Sequence, residues 1–204
     1  MKKNMNNVSR RRFFGLAAAC AALLSLSACF ASSVRDEWPP LSYQAVQPVT
    51  VSSARLDIVD AYRPPLGAPN VEHLFRVSPS QAAQELVRRQ VVPGGQTHLL
   101  RVVVEDASVR RKTLEPKKGV LGLFSSDPDE QFDARVALRF EMADEAAPDI
   151  VLGRASVVAT RERTLNGGAT LAEREKAYHG IVQSLIDDMA QEIGRTVGGS
   201  IGKY

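Results

Sequence analysis

The chain has 204 residues, 44% of them hydrophobic and 24% charged, which suits one cored domain with extensions and excludes a disordered or fibrous protein. Its formal charge of +3 comes from the opening stretch: residues 1–28 hold Lys2, Lys3, Arg10, Arg11 and Arg12 and no acid. Without them 21 cations face 23 acids, so the remainder is near neutral at −2 and makes no global case for nucleic-acid binding. Both cysteines, Cys20 and Cys29, also lie at this end, leaving none beyond for a disulfide, a thiol nucleophile or a zinc cluster.

From Phe13 to Ala28 runs an apolar segment interrupted by Gly15 and two serines. It is shorter than the roughly 20 apolar residues that span a bilayer, and it has no polar side for a core helix to show to solvent. Arginines, then an apolar run, then small residues is the order of a secretory signal. Ser9-Arg10-Arg11-Arg12-Phe13-Phe14 resembles the twin-arginine export consensus, with Gly15 where a lysine is expected. Leu26-Ser27-Ala28-Cys29 resembles the bacterial lipobox; the competing Ala17-Ala18-Ala19-Cys20 would leave too short an apolar run. The resemblance implies cleavage of residues 1–28 and lipidation of Cys29. Two or more acyl chains then hold the chain to a membrane. Phe30 follows the cysteine in place of the aspartate that means inner-membrane retention in many such lipoproteins, so the expected location is the outer membrane, facing the periplasm.

Residues 29–54, with Trp38-Pro39-Pro40 and Gln47-Pro48, read as an extended tether, and residues 55–204 as a single domain. Leu56 to Tyr62 is a first strand, stopped by Arg63-Pro64-Pro65. Ser78-Pro79-Ser80-Gln81 is a capping box that opens a helix with Ala82, Ala83, Leu86, Val87 and Val91 on one face, ended by Pro93-Gly94-Gly95. A strand from Thr97 to Lys112 changes phase between Val104 and Ala107, which predicts a bulge near Glu105-Asp106. Phe132 to Met142 alternates apolar and polar residues, the pattern of a sheet with one wet face, and Ile150 to Thr164 follows across a short turn. Thr170-Leu171-Ala172-Glu173 caps a long last helix, ended by Gly198-Gly199. The expected fold is α+β: strand, helix, three-stranded antiparallel meander, helix, with two helices on one face of a four-stranded sheet. The first strand should pair parallel to a neighbour.

Catalytic patterns are absent. His73, His98 and His179 are far apart, and no nucleophile elbow, zinc motif or phosphate loop occurs, so no cofactor, metal or enzyme activity is expected. Asp127-Pro128-Asp129-Glu130 lacks the spacing of a calcium loop, and Asp187-Asp188 reads as a solvated helix face. The unusual feature is the connection between two meander strands. It carries Arg110, Arg111, Lys112, Lys117 and Lys118, then Val120, Leu121, Leu123 and Phe124, where a hairpin needs only a few residues. Either this loop folds back and buries Leu123 and Phe124, or it contacts a partner or an anionic membrane surface.

The strand order is similar to that of small periplasmic lipoproteins that assist envelope machinery, such as the lipopolysaccharide-assembly lipoprotein and the auxiliary lipoproteins of ABC-type lipid transporters. That similarity is topological and transfers no site residue. It implies a non-enzymatic accessory or docking component of an envelope complex, with an envelope protein as partner and no nucleic acid. The alternatives are a lipid- or lipopolysaccharide-handling auxiliary protein and an enzyme whose cleft gathers His73, His98 and nearby acids.

Overall fold

The computed structural model describes residues 39–44, 46–115 and 128–201. The expected export signal with Arg10 and Arg11, the expected lipidation site Cys29, and Lys117, Lys118, Val120, Leu121, Leu123 and Phe124 lie outside the described residues. The chain divides into two units after Pro40, and the unit that starts at Leu41 contains the α+β fold.

The elements are β1 (Val49–Val51), β2 (Arg55–Asp60), a 3-10 turn (Glu72–Leu74), α1 (Pro79–Gln90), β3 (Val91–Pro93), β4 (Leu99–Thr113), β5 (Glu130–Ala143), β6 (Val151–Leu165) and α2 (Leu171–Thr196). The main sheet has the order β2-β4-β5-β6, with β2 parallel to β4 and the other pairs antiparallel. The register shifts between Val104 and Asp106, so the bulge sits where the apolar phase changes.

Both helices start as their capping boxes predict. The Ser78 and Thr170 side chains accept from the backbone amides of Gln81 and Glu173, whose own side chains return to the cap amides. Their apolar stripes, Leu86 and Val87 on α1 and Ile181, Leu185, Ile186, Met189 and Ile193 on α2, share one core with Leu100, Val102, Val104, Phe132, Leu138, Phe140 and Met142 from the sheet. Each large side chain fully buried here contributes about 1.5–3 kcal/mol.

Three features depart from the sequence reading. First, residues 41–54 do not all belong to a tether: Leu41, Tyr43, Val46 and Val49 pack on the core, Val51 is buried, and β1 pairs parallel with β3. Strands of three residues are too short to show a period. Secondly, Gly94 and Gly95 do not merely end a helix, because α1 gives way to β3 at Val91 and the two amides then donate to the Val51 and Ser53 carbonyls. Val49 pairs with Val91 but Arg55 pairs with Leu99, so the 94–98 stretch absorbs two extra residues and puts His98 at φ 70°, a left-handed conformation costly for a side chain. Thirdly, Gly198-Gly199 lie within a π-helical turn, Val197–Ile201, that continues α2.

The open face of the sheet is also less wet than the alternation suggests. Glu141 on β5 is only 6% exposed. It is held by the Arg139 and Arg154 guanidiniums, the latter at 2.9 Å, and Arg139 reaches Glu105 at 2.5 Å. Leu99, Val103, Ala137 and Ala143 on the same face are buried too. The apolar stems of long arginines suit such a surface.

Candidate docking surface

The β4–β5 hairpin runs in register to Thr113 opposite Glu130 and closes with the Leu114 amide donating to the Asp129 carbonyl at 2.8 Å. Beyond the bulge, the buried phase of β4 is Ala107 and Val109. Continued by twos, it puts Arg111 on the helix side and Arg110 and Lys112 on the open side. Three consecutive cations therefore do not form one patch.

Arg111 lies 3.5 Å from one oxygen of Glu130, and the other oxygen accepts from Arg174 in the first turn of α2. Beside this group Tyr178 stacks on Phe75, with ring centroids 4.3 Å apart, and meets Phe132 edge-on at 5.5 Å. Burial pushes the Tyr178 phenol up, and the hydrogen bond to Glu130 raises Arg174 further above its ordinary value. The cluster ties the open end of the hairpin to both the helix and the aromatic core.

On the other face Lys112 pairs with Asp133, which also accepts from Gln131 at 2.7 Å. The Lys112 hydrogen bond, then that of Gln131, holds the Asp133 carboxyl below the ordinary carboxylate range. Arg110 is exposed and has no ion pair among the described residues. Of the three cations proposed for contact at the foot of the loop, Arg111 and Lys112 brace the hairpin and Arg110 is free to face solvent. With Asp106, Ser108, Arg135 and Glu162 these open-face residues line a shallow depression of about 820 Å³.

Sequence reasoning missed the buried carboxylate of Glu72. It is 2% exposed and accepts from the Tyr62 hydroxyl at 2.6 Å, the Asn70 amide at 3.3 Å and the Val109 backbone amide at 3.1 Å. Burial raises its pKa, but the hydrogen bonds from Tyr62, its own amide, Val109 and Asn70 outweigh that and leave it below the usual glutamate value. Burial and the same bond to Glu72 push the Tyr62 phenol far above its ordinary value. Around this carboxylate the crossover returns to β4: Val71 donates to Val109, and Arg111 donates to Pro69. No local pattern marks Glu72, since its partner Val109 is 37 residues away.

The remaining candidates stay apart. His73 is exposed on the 3-10 turn, His98 sits between β3 and β4, and His179 is on α2. No group of three or more metal-ligating side chains occurs among the described residues. Asp187 accepts from Gln183, and Asp188 pairs with Arg161. A second groove, about 1080 Å³, is lined by Ser42, Val46 and Val49, by Gln90 of α1 and by Gln183 and Asp187 of α2. No described helix is long and apolar enough to cross a membrane.

No protein-family model matches this sequence, and no curated protein matches it. Among solved structures it is similar to a minor lipoprotein from Acinetobacter baumannii, at 13% identity and TM-score 0.38 over 71% of this chain and 90% of that one. It is also similar to the rare lipoprotein B from Shewanella oneidensis, at 12% identity and TM-score 0.36 over 69% of this chain and 94% of that one. With both scores under 0.5, these likenesses assign neither family nor function.

Proposed function

We infer that the protein is a membrane-anchored periplasmic lipoprotein that serves as a non-enzymatic docking component of a cell-envelope complex. The observation that carries this reading is the lipobox-like Leu26-Ser27-Ala28-Cys29 standing a short distance ahead of Leu41, the first core-packed residue of the α+β unit. About a dozen residues reach at most ~40 Å when extended, so the domain stays close to the surface that holds its lipid. The outer membrane is the proposed site, since Phe30 follows the cysteine.

The hairpin end supports a contact role. Arg111 and Lys112 are engaged across the strands, which makes a braced base for the connection that carries Lys117, Lys118, Val120, Leu121, Leu123 and Phe124. A rigid base limits the ordering entropy lost when a loop binds.

Crosslinking in intact cells, comparing the wild-type chain with one lacking Val120 to Phe124, tests the reading. Loss of a specific envelope partner with unchanged thermal unfolding is the expected result. An unchanged partner set rejects the loop, and salt-sensitive binding of the purified chain to anionic vesicles would favour the lipid-handling alternative. Mass measurement of the membrane-extracted protein checks the anchor: a mature chain that does not begin at diacylated Cys29 overturns it.

A further inference from the structure

The strand β6 pairs with β5 along one side and occupies the end of the sheet. It is fifteen residues long, contains no proline, and no backbone hydrogen bond from a turn or loop reaches it among the described residues. Such an edge is a template for another strand. The question is which strand its side chains accept.

We propose that β6 pairs antiparallel with β6 of a second copy of this chain, on a two-fold axis at Val158, to form a continuous eight-stranded sheet. The register comes from the residues. In any antiparallel self-pairing, opposite residues must share a face. A register centred at Val158 overlaps the stretch Gly153–Arg163, which lies beyond the register shift near Val151. On the open face that register sets Arg154 opposite Glu162, Ser156 opposite Thr160 and Val158 opposite itself. By symmetry the charge pair occurs twice. On the helix face, Gly153 and Ala155 come opposite Arg163 and Arg161, so each arginine meets a small neutral residue. Moving the centre by one residue either way sets Arg154 opposite Thr160 or Thr164 and loses both charge pairs.

Two further observations favour a second copy. Glu162 lies across from Asp133 within the chain and has no ion pair among the described residues, so it is an exposed acid beside a like charge. Arg154 is its natural counterpart: Glu141 already holds one side of the guanidinium, whose side chain remains 59% exposed. Val158 is 45% exposed, an apolar residue between Ser156 and Thr160 on the open face. On the helix face the Arg163 guanidinium lies against Gly180, where an added Cβ would come within 3.1 Å of it, and Arg161 pairs with Asp188, so both arginines are engaged within the chain.

The inference does not depend on the lipid anchor or on the hairpin loop. It is tested with the purified full-length chain. Val158→Cys should form a disulfide-linked dimer on mild oxidation, because residues opposite each other in antiparallel strands lie within disulfide range. Thr160→Cys should not, since its own copy is about 13 Å away along the strands. The wild-type chain, with Cys20 and Cys29, measures the background. Glu162→Arg places like charges opposite one another twice and should raise the dimer dissociation constant by about tenfold or more. Light scattering that finds a monomer at every concentration overturns the proposal. So does a dimer in which Thr160→Cys crosslinks as well as Val158→Cys.

Discussion

Along β2 the edge of the sheet is only six residues long, and where that strand stops the same chain covers β4 again through Pro69, Asn70 and Val71. Along β6 fifteen residues run with one side unpaired among the described residues. Beyond β2 the edge of β4 is closed beside a buried carboxylate, satisfied by Tyr62, Asn70 and Val109, and the β6 edge is left with alternating small, apolar and charged side chains. An edge sealed by burial contributes to folding stability. An edge kept open contributes nothing until a partner arrives, so substitutions at the two should have opposite signatures.

The largest effect is expected at the closed edge. Glu72→Ala leaves the Tyr62 hydroxyl, the Asn70 amide and the Val109 amide without their acceptor, and should cost about 3 kcal/mol, lowering Tm by roughly 10 °C. Hydrogen exchange should rise first at Val71 and Arg111, whose amides bond to Val109 and Pro69. If exchange rises uniformly instead, the latch is not local and the comparison fails.

Gly95→Ala comes next. A Cβ at Gly95 would lie 2.6 Å from the Ser52 carbonyl carbon, at the crossing between β1 and β2, and backbone atoms there cannot step aside. The expected loss is about 2 kcal/mol in chemical denaturation, with little change in the cooperativity of unfolding.

The pH dependence of stability sharpens the contrast further. Glu72 has a folded pKa below the ordinary value of 4.5, so its contribution is complete above that value and is lost as pH falls through the depressed one. Tyr62 has a folded pKa raised above 10.0, so its share is complete below 10.0 and is lost as pH rises through the raised value. Denaturant titration across pH should show a plateau between these limits, and Glu72→Gln should flatten the acid limb. An unchanged acid limb would place the titrating group elsewhere.

The smallest effect on folding is expected at the open edge. Val158→Lys should alter the unfolding free energy of the monomer by no more than about 0.5 kcal/mol while removing self-association. A large loss of monomer stability would mean that β6 is sealed by its own chain, as β4 is beyond the end of β2.

Much of the architecture was legible because its signals are local. Ser78 with Gln81 and Thr170 with Glu173 announce helix starts within four residues, and Phe132 to Met142 shows its buried face by twos. The phase change after Val104 even located the bulge. The pairing of β1 with β3 was not legible, since Val49–Val51 and Val91–Pro93 are each too short to carry a pattern. The candidate surface was legible only as composition. Arg110, Arg111 and Lys112 read as one basic run, but the strand pleat sends them to alternate faces, and the acids that engage two of them stand on β5.

The sequence by itself determined the α+β order, both helix starts and the bulge, because each depends on residues within a turn or a strand of one another. Tertiary structure alone decided that Glu72 would be the polar centre of a sealed edge, that Glu130 would join Arg111 to Arg174, and that β6 would stand at the end of the sheet. Those outcomes depend on which strands become neighbours, and pairing over tens of residues is selected by the burial of the whole core rather than by any short stretch of chain.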